Sequence, residues 1–244
     1  MFRIPDQPQD IFVPLTQDYL GVFGHQLISL TLYGSAAAGA YVKGQSDINV
    51  LVVLTDDGMN RLDGALGLVK KWRKRNVAVP LVMTKEFIFS SLDAYPIEFL
   101  NMKSNSMVIY GEHILEQLTF KPEDLRLQIE RELKSKVLLL REGYLGSEGA
   151  SRELRNLIGR SLTAVLSIFN ALIYLKTGST PRDKRATINE MSSAFGICAD
   201  VFFNCLKIKE KTDKWSKSDV TVLFKNYLKE TERVSHLVDN LTSK

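Results

Sequence analysis

Apolar positions in the first half of the chain change period several times. Residues 15–26 carry helical spacing, and Leu27 to Tyr33 is a short apolar run that stops at Gly34 and reads as a strand. Asp47 to Leu54, rich in Val, Leu and Ile, is a second strand. Residues 58–75 read as a helix ending in Lys70, Lys71, Arg73, Lys74 and Arg75, cations that a helix C-terminus favours through its dipole. Ala78 to Met83 is a third strand and Lys85 to Leu92 a short helix, with further strand segments at Tyr95 to Met102 and Met107 to Tyr110. Together these predict a small mixed α/β unit.

The second half holds no strand pattern. Pro122 and Glu123 suit the first turn of a helix, and Leu125, Ile129, Leu133, Val137 and Leu140 follow at helical spacing. Further helices are predicted over 150–176, 184–194, 198–210 and 216–241, with breaks at Gly146 to Gly149, Thr177 to Pro181 and Lys211 to Ser216. Short loops between such helices make a bundle. The change of period places a boundary near residue 120, giving an α/β domain over 1–120 and a helical bundle over 121–244.

Composition narrows the class. The chain has 244 residues, 45% of them apolar and 25% charged, which excludes a disordered chain, a collagen-like chain and a disulfide scaffold. No uninterrupted apolar run approaches the ~20 residues of a membrane span. One of the longest, Ile48 to Leu54, is broken by Asn49. Met1 to Pro14 lacks the basic-then-apolar layout of a signal peptide, so a cytoplasmic location without membrane association is expected. Cys198 and Cys205 would lie ~10 Å apart along a helix, beyond the ~7 Å limit for a bridge, and both read as buried thiols. His25, His113 and His236 are scattered, with no Cys/His metal spacing. Residues 1–120 hold 10 basic and 12 acidic side chains, whereas residues 121–244 hold 22 and 16. The basic second half suits either an anionic partner or ordinary solvated helix faces.

The chemistry concentrates between Leu30 and Leu54, LTLYGSAAAGAYVKGQSDINVLVVL. A strand ends at Tyr33, and Gly34 then lets a ligand approach the backbone closely. Ser35 is placed to cap a helix starting at Ala36, whose free N–H groups would face a phosphate. Asp47 and Asn49 are two apart on a strand, so their side chains share one face. Two oxygen ligands opposite a phosphate-binding turn make a place for a magnesium-bound nucleotide.

This strand, Gly-Ser, spacer and Asp-x-Asn arrangement resembles the nucleotidyltransferases of the DNA polymerase beta type. It is similar in particular to the small bacterial two-domain members with a helical C-terminal domain, such as the aminoglycoside and minimal nucleotidyltransferases. The likeness covers roughly residues 20–118 at motif level. It implies an α+β fold, a nucleotidyltransferase-like mixed sheet with helices followed by an all-α bundle. It also implies Mg²⁺-dependent transfer of a nucleoside monophosphate, AMP from ATP as first choice, to a hydroxyl of a small molecule or protein.

Carried onto this chain, Gly34, Ser35 and Asn49 bind the nucleotide. Asp47, Asn49 and Glu98 hold metal, with Glu98, in YPIEFLNM, also the candidate base. Asp47 and Glu98 are then the catalytic pair. Arg126, Arg141, Arg160, Lys43 and Lys103 are further candidates for phosphate contact. The departure is Asn49, where the family has a second carboxylate. Removing a unit charge ~4 Å from another is worth up to ~4 kcal/mol at an effective dielectric of ~20, on the order of a thousandfold in rate. The alternative reading is therefore a catalytically silent pseudoenzyme that binds nucleotide or another protein. A homo-oligomer is compatible with either reading, and direct nucleic-acid binding through basic helix faces ranks behind both.

Overall fold

The computed structural model describes residues 4–44 and 46–241. Packing divides the chain into two compact units, Met1–Phe120 and Lys121–Lys244.

In the first unit, α1 (Phe12–Phe23) leads into β1 (Leu27–Tyr33) and, after a loop, β2 (Asn49–Leu54). The predicted 58–75 helix is broken into α2 (Asp56–Met59), a 3₁₀ turn at Leu62–Ala65 and α3 (Leu66–Arg73). Its basic residues Lys70, Lys71 and Arg73 do fall in the last turn of α3. Then come β3 (Leu81–Thr84), α4 (Lys85–Ser90), α5 (Pro96–Ser104) and β4 (Ser106–Gly111). The sheet order is β3-β2-β1-β4, with β1 antiparallel to β2 and β4, and β3 parallel to β2. Alternation along β2 sends Val50, Val52 and Leu54 to one core with Leu15, Phe23, Leu30 and Trp72. It sends Leu51 and Val53 to the other, with Ile88 of α4 and Phe99 of α5. Position 49 shares the second face.

Two expectations fail here. Tyr95 to Met102 is a helix, not a strand: Pro96 occupies the first turn of α5, and Pro96, Ile97, Phe99 and Leu100 are buried at helical spacing. No α-helix follows Ser35 either. Gly34–Ala36 is a single 3₁₀ turn, with Tyr33 rather than Ser35 in the cap position. Left-handed Gly34 (φ 77°) and Gly39 (φ 74°) bracket too few residues to recover the cost of helix nucleation.

Among the described residues the second unit forms helices and no strand: α6 (Pro122–Gly146), α7 (Ser151–Thr177), α8 (Lys184–Phe195), α9 (Ala199–Glu210) and α10 (Lys217–Asp239). α7 supplies the middle of the core through Leu154, Ile158, Leu162, Val165, Phe169 and Leu172, all buried. Phe169 meets Phe202 edge-to-face at 5.1 Å, and Phe202 meets Tyr227 at 5.8 Å. By length and composition alone α7 could cross a membrane, which continuous runs did not reveal. Half of its most apolar window is buried inside the protein, as in a core helix. Cys205 is buried, but Cys198 is exposed just before α9, which corrects the reading of both as buried thiols.

Candidate nucleotide site

The last pair of the β1–β2 ladder is Tyr33 opposite Asn49. β1 runs on from that pair into Gly34 and Ser35, and the chain enters β2 through Asp47 and Ile48. The antiparallel pairing therefore brings the Gly-Ser turn and the Asp-Ile-Asn segment to the same end of the sheet. Gly34 adopts φ 77°, a backbone region that other residues enter only with strain. A Cβ on Gly34 would sit 3.5 Å from Asn49 Nδ2, so the Asn49 amide is the side chain that faces the turn at this point. The Gly34 N–H donates to the Asn105 carbonyl at 2.9 Å, and Ala37 and Ala38 both donate to the Gly34 carbonyl. Ser35 is exposed on this turn, and Asp47 is exposed beside a half-buried Asn49. Neither Asp47 nor the Asn49 amide has a side-chain partner among the described residues.

Asp47 is positioned by its neighbours. The Ile48 N–H donates to the Asn76 carbonyl at 2.9 Å, Ala78 donates back to Ile48, and Asn76 Nδ2 donates to the Ser46 carbonyl at 3.0 Å. Asn76 is left-handed (φ 65°), a conformation that Asn tolerates better than most residues. Sequence reading passed over Asn76; an Asn between a basic helix end and a strand was the available signal. On the other side, Ser46 closes its own loop: Ser46 N–H donates to the Val42 carbonyl and Val42 N–H to Ser46 Oγ. Tyr33 is half-buried, and burial raises its phenol above the usual tyrosine range, which keeps it neutral.

Glu98 is placed differently from expectation. It is exposed in the first turn of α5, so the case for it as a lone charge inside an apolar strand no longer holds. Its neighbour Phe99 is what α5 packs into the core beneath β2. Among the described residues no three His, Cys, Asp or Glu side chains gather where a metal ion could be held. The ligand set at the sheet end is thus one carboxylate, Asp47, and one neutral amide oxygen, Asn49. Mg²⁺ is usually held by one or two carboxylates plus substrate phosphates and waters. This pair fits a magnesium ion that arrives with a triphosphate, and fits a free ion poorly. The other phosphate-contact candidates are mostly engaged: Lys43 with Asp6, Arg126 with Glu130 and Arg141 with Glu232. Lys103 donates to the Glu116 and Leu118 carbonyls.

This fold, a four-stranded mixed sheet with helices followed by a helical unit, has a counterpart among solved structures. The chain is similar to spectinomycin adenyltransferase AAD(9) from Enterococcus faecialis, solved with ATP and spectinomycin. The TM-score is 0.50 and the identity 15%, over 91% of this chain and 98% of that one. At that identity the likeness defines the fold, an α+β nucleotidyltransferase-like fold. No protein-family model matches the chain, and no curated protein matches it in sequence.

Proposed function

We propose that the chain binds a nucleoside triphosphate, ATP in the first place, at the Gly34–Asp47–Asn49 end of its sheet, and that it is a nucleotidyltransferase. The observation that carries this is left-handed Gly34 at the sheet end where Tyr33 pairs with Asn49, next to an unpartnered Asp47, on a fold shared with a protein solved with ATP. In this reading Gly34 removes the side chain that would block the phosphates, and the exposed Ser35 hydroxyl donates to them. Asp47 and Asn49 would hold Mg²⁺, which on binding neutralises charge on the phosphates and polarises the reacting phosphorus. An acceptor hydroxyl would displace pyrophosphate and take the nucleoside monophosphate. Glu98 stays in this reading as the acceptor's candidate base, now offered from a helix. The free, exposed Cys198 suits a reducing, cytoplasmic compartment.

A second reading has a specific observation behind it. Asn49 is neutral where the resembling enzymes carry a carboxylate, and no three-carboxylate cluster forms among the described residues. That favours nucleotide binding with little or no transfer. Calorimetry with ATP, with and without Mg²⁺, separates the two. Binding that needs Mg²⁺ supports the transferase, and binding indifferent to Mg²⁺ supports the silent binder. Absence of ATP binding under both conditions would overturn the nucleotide site.

A further inference from the structure

The helical unit carries a second charged feature, built from α7 and α9 alone. Arg152, Arg155, Asn156, Gly159 and Arg160 recur at three- and four-residue steps and so share one face of α7. With Ile208, Lys209 and Lys211 they line a groove of about 450 Å³. That volume lies in the range of small-molecule sites, roughly 300–1,000 Å³. Five of its eight lining residues are cationic; none is acidic and none aromatic.

Elsewhere in this unit some cations find carboxylates, Arg126 with Glu130, Arg141 with Glu232, Arg185 with Glu210 and Lys207 with Asp213, while others stand singly on solvated helix faces. None of the five groove cations pairs with a carboxylate among the described residues. Arg155 donates to the Trp215 carbonyl at 2.8 Å, and Lys209 to the Gly159 carbonyl at 2.8 Å and to Thr163 Oγ1 at 2.5 Å. Burial, with Lys184 nearby, holds the Lys209 ammonium below the usual lysine range. Arg152 and Arg155 stand near the N-terminus of α7, where the helix dipole disfavours cations and favours anions. Lys209, in the last turn of α9, stands at the end that favours cations. Five cations gathered on one groove with no carboxylate among them make it a place for an anion.

We propose that this α7–α9 groove binds a small, multiply phosphorylated anion, held by Arg152, Arg155, Arg160 and Lys211. Arg152 and Arg160 are eight residues apart, ~12 Å along the helix at ~1.5 Å per residue, so a ligand with more than one phosphate group can engage both at once. Arginine forks suit such groups. With no ring in the lining to stack a base, the groove recognises phosphates rather than single-stranded nucleic acid. The inference goes beyond the nucleotide site and uses none of its residues.

The probe is inorganic tripolyphosphate, titrated calorimetrically into the full chain without Mg²⁺. The parent protein is expected to bind it, more weakly as salt rises. Arg152→Gln with Arg160→Gln should weaken binding by about tenfold or more, since it removes two charge-assisted hydrogen-bond donors. The Arg→Glu pair should abolish it. Both residues are exposed, and an unchanged thermal melt confirms that the variants fold. Ser35→Ala should leave tripolyphosphate binding intact while lowering Mg²⁺–ATP binding, so the failure of one site is distinguishable from failure of the other. The proposal is overturned if the parent does not bind tripolyphosphate, or if the Glu variant binds it as the parent does. It is also overturned if a single-stranded RNA of about ten nucleotides occupies the groove and tripolyphosphate cannot displace it.

Discussion

In the proposed site, Asn49 is the residue on which the choice between transfer and binding turns. Its amide faces the Gly34 turn two residues after Asp47, so Asn49→Asp adds a charge near another without adding bulk. Repulsion between the two carboxylates should lower the melting temperature of the free protein, and Mg²⁺ with ATP should raise it more than in the parent. A thermal-shift series on both proteins, with each ligand alone and together, reads this directly. Identical responses would remove position 49 from the site. That the Gly-Ser turn and the Asp-x-Asn segment come to one end of the sheet follows the sequence's order of strand, turn and strand, which β1 and β2 keep. Glu98 was misplaced because Ile-Glu-Phe alternates over three residues as a strand would. The decisive neighbour was Pro96, whose fixed φ opens a helix and whose missing N–H weakens any ladder.

Among the elements, β4 depends on its last residue. Gly111 is left-handed (φ 78°), and a Cβ there would stand 1.9 Å from the Ile28 carbonyl oxygen, at the Ser29–Gly111 end of the β1–β4 ladder. Backbone cannot yield as a side-chain end can, so Gly111→Ala should cost about 3 kcal/mol or more, combining strained φ with the clash. Urea unfolding of the variant measures it, and a loss below ~1 kcal/mol would mean that the ladder end relaxes freely. In the helical unit, α8 opens on Asp183, whose carboxylate accepts from the Arg185 and Ala186 N–H groups at 2.8 and 2.9 Å. Those bonds, with Arg182 and Arg185 nearby, hold its pKa below the ordinary aspartate value. The cap therefore contributes fully above the unfolded-state carboxylate range, and its contribution is lost as pH falls through the lowered value. Asp183→Ala should cost about 1 kcal/mol at neutral pH, and the gap between variant and parent should close in strong acid. Urea midpoints at the two pH values check it. The Asp183 cap stood next to a helix start that periodicity had already placed at 184. The Ser35 cap failed because a side-chain cap needs a helix long enough to follow it.

At the scale of the whole molecule, the change from mixed to purely helical period near residue 120 coincides with the division into two compact units. Period is the strongest signal that a chain displays, because each core must bury a face. Which cations find carboxylates across helices is set by packing, so the contrast between the paired Arg141 and the unpaired Arg160 could not be read from spacing. Nor could the difference between the two thiols, since helical spacing puts both on one face and only the start of α9 at Ala199 leaves the first outside it.

That difference makes the protein its own reporter. A thiol reagent should modify one cysteine, Cys198, in the native state and two in denaturant, because Cys205 is sealed in the helical core and burial keeps its thiol protonated. The slow appearance of the second adduct under native conditions then times how often α9 opens. A dye on Cys198 would sit where its N–H meets Glu230 at 3.1 Å, at the seam of α9 and α10, and would follow that seam by its brightness. Two fast adducts in the native protein would show that α9 does not stay shut.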